Sequence, residues 1–535
     1  MDLRHKVGQT AIVRVRDDNP EMGDDFEKYF CEYGYGGIFM GAEIIRPGHS
    51  GRADLARVSA DLRKRSEIPP VFCGDAEAGF RNILCDEDHF PDQMALGAAD
   101  DSDLCYRFGK ATAKECLAGG INWSFSPVAD LNLNPLNPIV NNRSLGDDPD
   151  KVLPLLSAII AGMQDNGLAA TVKHFPGDGV DFRDQHFVKT ANSLSEQEWM
   201  RCYGNLYRAL FAQGAMSVMV GHMTLPWYQG GNAFDRLPAT LSGRLLNDLL
   251  KGELGFSGVV VSDALEMGAF EQEFCDRERA EIEAFKAGVD MMLWPSKGYF
   301  RNLEAAVRSG EVPEERLDDA LGRIWEFKNR LGCFKKDYAR LPELDAREKA
   351  ACDALSREIS ARSVTLVRDE KKFFPLQKSE IRKVALVLES VNEKGYKSLA
   401  RLSEILVSRG FETDLYQNGV DEGWQPRLNA ETIAQYDLVL VAMYLRPHEP
   451  LGFLDFPDLE LVGISRVINL PARRIVSVSF GSPYVHRMYC ERVPACVNCY
   501  SDTKDCMEAF VDAIFGESAF VEKSPVRGVR EPEHV

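Results

Sequence analysis

Eight apolar runs punctuate the first 300 positions of the chain. They are GQTAIVRV (8–15), GYGGIFMGA (34–42), PPVFCGDAE (69–77), INWSFSPVAD (121–130), LAATVKHFPG (168–177), AMSVMVGHM (215–223), FSGVVVSDA (256–264) and AGVDMMLWP (287–295). Most are near-continuous rather than alternating, which is the pattern of parallel strands covered on both faces. Amphipathic stretches such as 243–254 and 277–288 lie between most of them. Successive βα units of this number predict a (β/α)₈ barrel. The reactive side chains fall where the runs end: Asp75, Asp130, Lys173 with His174, His222 and Asp263. In a parallel barrel all those ends open on one face. A doubly wound sheet also gathers such residues at one edge, but consecutive units in this number favour closure.

Beyond 297 the pattern changes. Residues 297–332 read as helices interrupted by Gly-Glu-Val-Pro, and a charged connector follows. From about 360 the alternation resumes, with VALVLES, YDLVLVAMYL, RRIVSVSFGSP and ACVNCYS as strands, and SLARLSEILVSRGF and MEAFVDAIFG as helices. The expected organisation is a barrel over 1–335, a linker over 336–362 and a smaller α/β (αβα) sandwich over 363–535.

Composition narrows the partners. Against 82 acidic side chains stand 63 basic ones, a formal charge of −19, which disfavours nucleic acid and anionic membrane. No apolar run reaches the ~18 residues of a membrane span. The N-terminus lacks the charged, apolar and small-residue sequence of a secretion signal. The 13 cysteines show no dense disulfide spacing, so a reducing, cytoplasmic setting is expected.

Two stretches carry the chemistry. In Lys173-His174-Phe175-Pro176-Gly177-Asp178-Gly179-Val180-Asp181-Phe182-Arg183-Asp184-Gln185-His186, Asp184 and His186 are two apart. A carboxylate beside an imidazole orients it for acid/base work; a solvated loop with a chance Asp-x-His is the alternative. In Gly258-Val259-Val260-Val261-Ser262-Asp263, an aspartate ends a wholly apolar strand. Burying such a charge is costly unless a site requires it, although helix N-capping is the favoured reading of the residue taken alone. His222 lines the pocket or is a satisfied rim histidine, and Glu266 is not assigned as the acid. Cys490, Cys496, Cys499 and Cys506 contain a ligand-like spacing. Positions three apart on a strand face opposite sides, however, so no metal is expected.

Together these motifs resemble glycoside hydrolase family 3, in its β-N-acetylglucosaminidase branch. That branch carries Lys-His-Phe-Pro-Gly-His-Gly-Asp-Thr followed by Asp-Ser-His, and KHFPGDGVDFRDQH keeps its register. GVVVSDALEM is similar to the family's nucleophile strand, and residues 237–258 to the run leading into it. PVADLNLNPLNPIVNNRSLGDDP (127–149) and GDAEAG (74–79) are similar to its substrate segments. SVTLVRDEKKFFPL (363–376) and FGSPY (480–484) resemble two-domain members. The resemblance implies Asp263 as nucleophile, His186 as acid/base and Asp184 as its partner, with Asp75, Arg143, Lys173 and His174 holding the sugar. Three departures stand out. The family's His-Gly-Asp-Thr is Asp178-Gly179-Val180-Asp181, so the loop's hydrogen bonds must differ. Asp181 is a second candidate partner for His186. Ile83 stands where the family places an arginine, with Arg81 the nearest substitute.

The implied activity is removal of terminal β-linked N-acetylglucosamine with retention, without metal or organic cofactor and with a small carbohydrate as the partner. A phosphorylase on the same scaffold remains open, because an imidazole does not repel phosphate as a carboxylate base does. A β-glucosidase fits the Asp-x-His loop less well. The alternative outside catalysis is a carbohydrate-binding protein whose altered loop no longer delivers His186. The aglycone is left open.

Overall fold

The computed structural model describes residues 1–535 except 15–24, 42–50, 81–82, 85–89, 232–235, 275, 418–427, 448–453, 457–463 and 530–535. The chain divides into two compact units. The first comprises Met1–Glu87, Cys105–Leu131 and Pro149–Lys349; the second comprises Asp88–Leu104, Asn132–Asp148 and Ala350–Val535. Segments 88–104 and 132–148, expected within the 1–335 barrel, therefore pack with the C-terminal chain instead. Polar pairing holds them there. Asn142 Nδ2 donates to Asp92 Oδ2 and Tyr500 O (both 3.0 Å), Arg446 pairs with Asp92 (2.8 Å), and Arg527 N donates to Asp147 Oδ2 (2.8 Å). The expected linker is structured as well: Tyr338 Oη donates to Pro70 O (2.7 Å) and Ala346–Ala361 is a helix.

In the first unit lie strands β1 (Ala11–Arg14), β2 (Gly37–Phe39), β3 (Val71–Gly74), β4 (Trp123–Ser124), β5 (Thr171–Phe175), β6 (Ser217–Val220), β7 (Val259–Ser262) and β8 (Met292–Leu293). Each falls inside one of the apolar runs. They pair in parallel, in the orders β8-β1-β2-β3-β4 and β7-β6-β5. Parallel bridges carry the ladder further, Trp123 to Ala169 and Val261 to Met291. Ile12, Val71, Trp123, Phe125, Val259, Val261 and Leu293 share one buried cluster with Ile324 and Phe327 of helix Glu314–Arg330. The Trp123 indole N–H is shared between Thr171 Oγ1 and Ser217 Oγ, both 2.8 Å away, so the polar atoms at the centre of this core are paired. The Gly-Glu-Val-Pro break works as its residues dictate. Helix Gly298–Ser309 stops at left-handed Gly310 (φ +79°), and Pro313 caps the helix that follows.

The second unit holds β9 (Thr365–Asp369), β10 (Lys383–Ser390), β11 (Glu412–Gln417), β12 (Leu438–Tyr444), β13 (Ile475–Ser479) and β14 (Ala495–Asn498), in the order β9-β14-β13-β12-β10-β11. All neighbours are parallel except β9 and β14. Alternate residues enter different clusters: Val384, Leu386 and Leu388 on one face, Ala385 and Val387 on the other. Both faces being covered, the strand reads as a continuous apolar run. The same alternation separates Cys496 from Cys499, which lie in opposite clusters. Among the described residues no helix is long and apolar enough to cross a membrane.

Candidate active site

The site is assembled at the carboxyl ends of the parallel strands of the first unit. Strand β5 departs from regular pairing where the chemistry begins. Val172 pairs with Val218 and Phe175 with Val220, so β5 carries one residue more than β6 over this interval. Such a bulge re-aims side chains. Lys173 and His174, adjacent in sequence, both acquire acidic partners as a result. The Lys173 ammonium, 3% exposed, lies 2.9 Å from Asp75 Oδ1 and 2.7 Å from Glu77 Oε1. His174 Nδ1 donates to Asp130 Oδ2 (2.6 Å), and its backbone N–H donates to Asp130 Oδ1 (3.0 Å). The other ring nitrogen, Nε2, lies 3.9 Å from Asp263 Oδ2.

Asp263 follows the last residue of β7. Its N–H donates to Val220 O (2.9 Å) and its Oδ1 accepts from Ala264 N (2.8 Å), leaving the side chain 15% exposed. Burial by itself raises the carboxyl pKa. The imidazoles of His174, His222 and His186, with the Ala264 N–H, outweigh burial and hold Asp263 below the ordinary aspartate value. His222 is fully buried. Its Nδ1 meets Thr240 Oγ1 (2.8 Å) and its Nε2 donates to Ala264 O (2.9 Å). Burial lowers its pKa against the opposing pull of Asp263, and the ring, bonded to Ala264 O, braces the turn that presents Asp263.

The dyad loop leaves β5 through Pro176 and Gly177. Gly177 has φ +113°, and a Cβ there meets the Tyr203 ring at 2.4 Å, so only glycine fits. Further along, His186 Nδ1 donates to Asp184 Oδ1 (2.7 Å), and the His186 N–H donates to the same oxygen (2.8 Å). Asp184 is 2% exposed. The loop is fastened to the segment after Asp263: Gly268 N donates to His186 O (2.8 Å), with no room for a Cβ on Gly268. Asp181 is engaged elsewhere. The Arg183 side chain clasps it and Ala191 N donates to it (2.9 Å). Burial raises its pKa, and these donors hold it below the usual range.

Asp75, Lys173, His174, Asp184, His186 and Asp263 thus lie together in one unit. Arg143 belongs to the second unit, at the end of the short helix Asn141–Arg143, where its guanidinium donates to Ile139 O (3.1 Å). Arg81 lies outside the described residues, and Ile83 is buried. The sequence reading marked Asp130 as a reactive side chain at a run end without giving it a role, and it did not single out Glu77 or Gln185. Glu77 had a visible signal, being two residues from Asp75 at the end of an apolar run. Gln185 had none beyond its place between Asp184 and His186.

A carboxylate kept ionised beside imidazoles, at the carboxyl ends of parallel βα units, is the site of an enzyme. Residues 2–327 match the family described as glycosyl hydrolase family 3 N-terminal domain. The chain belongs to that family and is a glycoside hydrolase. It is 32% identical over 551 aligned positions to a β-N-acetylglucosaminidase/β-glucosidase of Cellulomonas fimi, covering 96% of each chain. Among solved structures, it resembles a β-glucoside phosphorylase, BglX, bound to 2FGlc. That match has a TM-score of 0.87 and 27% identity, covering 99% of this chain and 94% of the other. It also resembles the family 3 β-N-acetylglucosaminidase of Paenibacillus sp. str. FPU-7, with a TM-score of 0.83 and 29% identity, covering 99% of both chains.

Proposed function

We propose that this protein is a retaining exo-glycosidase that removes terminal, non-reducing β-linked N-acetylglucosamine, built on a closed (β/α)₈ barrel followed by an αβα sandwich. The observation that carries the reading is the Asp263 carboxylate, held ionised among three imidazoles, with the His186–Asp184 pair on a loop bonded to the same turn. Asp263 attacks the anomeric carbon while His186, protonated, gives its proton to the departing oxygen. A water then attacks the glycosyl-enzyme as His186, now neutral, takes the water's proton. Lys173 and His174, each anchored on a carboxylate, offer charge-assisted hydrogen bonds to the sugar. The acetamido preference is supported by the names of the Cellulomonas and Paenibacillus relatives. The cysteine pattern supports a cytoplasmic setting, testable by fractionation.

A second reading is phosphorolysis, with phosphate replacing water in the second step. The likeness to a β-glucoside phosphorylase favours it, as does an acid/base that leaves the acceptor site without a repelling carboxylate. One assay separates the readings: an aryl β-N-acetylglucosaminide and the matching glucoside, each with and without phosphate. Hydrolysis yields free N-acetylglucosamine at a phosphate-independent rate, and phosphorolysis yields the sugar 1-phosphate. Turnover confined to the glucoside refutes the acetamido preference, and no turnover of either supports a binding protein. A fluorosugar inactivator should label Asp263; labelling of another carboxylate refutes the nucleophile.

A further inference from the structure

The family pattern has histidine where this chain has Asp178 and serine where it has Gln185, and in the fold these two departures meet. Gln185 Nε2 donates to Asp178 Oδ2 (3.1 Å), and Gln185 Oε1 accepts from His222 N (2.9 Å). A carboxylate only accepts and a backbone N–H only donates, so the amide has a single workable orientation. Asp178 is pinned in turn, accepting from Gly179 N at Oδ1 (2.6 Å) while its own N–H donates to Asp130 Oδ1 (2.7 Å). Both side chains are buried, Asp178 at 4% and Gln185 at 1% exposure. Gln185 sits between the two members of the dyad. Its backbone oxygen accepts from Ala269 N (3.3 Å), and its side chain reaches the end of β6 beside His222, which holds Ala264 O next to Asp263.

We infer that Asp178 and Gln185 act as one positioning strut. It fixes the His186 loop relative to the Asp263 turn, replacing in this chain the His and Ser of the family pattern. The inference rests on the proposed roles of Asp263 and His186. Misplacement of the acid/base by about 1 Å costs up to ~10² in rate. That loss falls on the step needing protonation, so it depends on the leaving group.

The test uses the full chain with Gln185→Ala, Gln185→Glu, Asp178→Asn, the single changes Asp178→His and Gln185→Ser, and their pair Asp178→His/Gln185→Ser. Gln185→Glu keeps an acceptor for His222 N but sets a carboxylate against Asp178, and it serves if the alanine variant folds poorly. Each single variant should lose about 10- to 100-fold in kcat/KM on an N-acetylglucosaminyl disaccharide. On an activated nitrophenyl glycoside the glycosylation step should fall less than about threefold. The paired variant should lose no more than the worse single change, the mark of coupled residues. Equal losses on both substrates, unchanged kinetics, or multiplying losses in the pair overturn the strut. Histidine-labelled protein provides a readout independent of turnover. The His186 Nδ1–H resonance, identified by its loss in His186→Ala, should shift or broaden in Gln185→Ala; an unmoved resonance overturns the strut. A parent that cleaves no N-acetylglucosaminide refutes the function proposed above, and the resonance still decides the strut.

Discussion

Asp184→Asn isolates the charge of the dyad from its geometry. Both the His186 ring Nδ1–H and the His186 backbone N–H point at one oxygen, Asp184 Oδ1. The backbone group can only donate, so an asparagine that keeps both of these bonds turns its carbonyl oxygen, not its NH₂, toward that point. The Nδ1–H tautomer is therefore retained, and Nε2 is the ring atom that transfers the proton. What disappears is the negative charge opposite the imidazolium. A hydrogen bond to a charged group contributes ~1.5–3 kcal/mol and a neutral one ~0.5–1.5 kcal/mol. The difference, about 1–1.5 kcal/mol, corresponds to roughly a tenfold loss in kcat/KM on a disaccharide. A flipped tautomer instead costs ~10⁴. The assay compares the disaccharide with a nitrophenyl glycoside across pH. The loss should be greater for the disaccharide, and the alkaline limb of its profile should move to lower pH, because the carboxylate no longer supports the protonated ring. A loss of a thousandfold or more refutes the single-oxygen argument. No loss at all refutes Asp184 as the electrostatic partner.

Other consequences follow from specific contacts. Lys173→Ala and His174→Ala should each lower kcat/KM up to about a hundredfold, from ~1–3 kcal/mol of lost hydrogen bonding; unchanged kinetics in both place the sugar elsewhere. Because Asp263 is held below the ordinary aspartate value, the acid limb of the rate profile assigned to it should lie below pH ~4, and a limb near pH 5 contradicts that environment. Trp123→Ala should destabilise the first unit by about 3–5 kcal/mol in urea unfolding. Thr171 Oγ1 and Ser217 Oγ remain paired with each other at 2.7 Å, so the cost is mainly the cavity. Lys328 is fully buried, donating to Gln9 and Pro69, and burial brings its pKa down to about 8 from 10.5. Between those values the unfolded chain binds more protons, so stability rises with pH. Lys328→Met should reduce that slope by up to about 1.4 kcal/mol per pH unit, while Lys251, also near 8, keeps its own share.

The order of elements was legible because burial writes itself into composition. A strand covered on both faces must be apolar throughout, so β1 to β8, and β10 and β12 of the second unit, are visible as runs. The break at Gly310 and Pro313 was legible for a local reason, since backbone dihedrals there depend on the residue itself. Strand β11 escaped because it is a largely exposed edge, and ETDLYQ carries no burial signal. Asp184 with His186, and Asp263 at a strand end, could be found as candidates because short spacing and a charge after an apolar run are local features. Their division of labour with neighbours was not local. That Asp184 takes the His186 ring while Asp181 is clasped by Arg183 depends on where the loop folds back. That Lys173 and His174 both acquire acidic partners depends on one extra residue in β5 relative to β6, which no reading of β5 alone reveals. Segments 88–104 and 132–148 were assigned by their neighbours along the chain, but Asp92, Asn142 and Asp147 find their partners some 350 positions later. Periodicity and turn chemistry report what a residue's immediate surroundings demand. Hydrogen bonds between distant segments are satisfied only once the chain has closed on itself, so tertiary structure alone decided them.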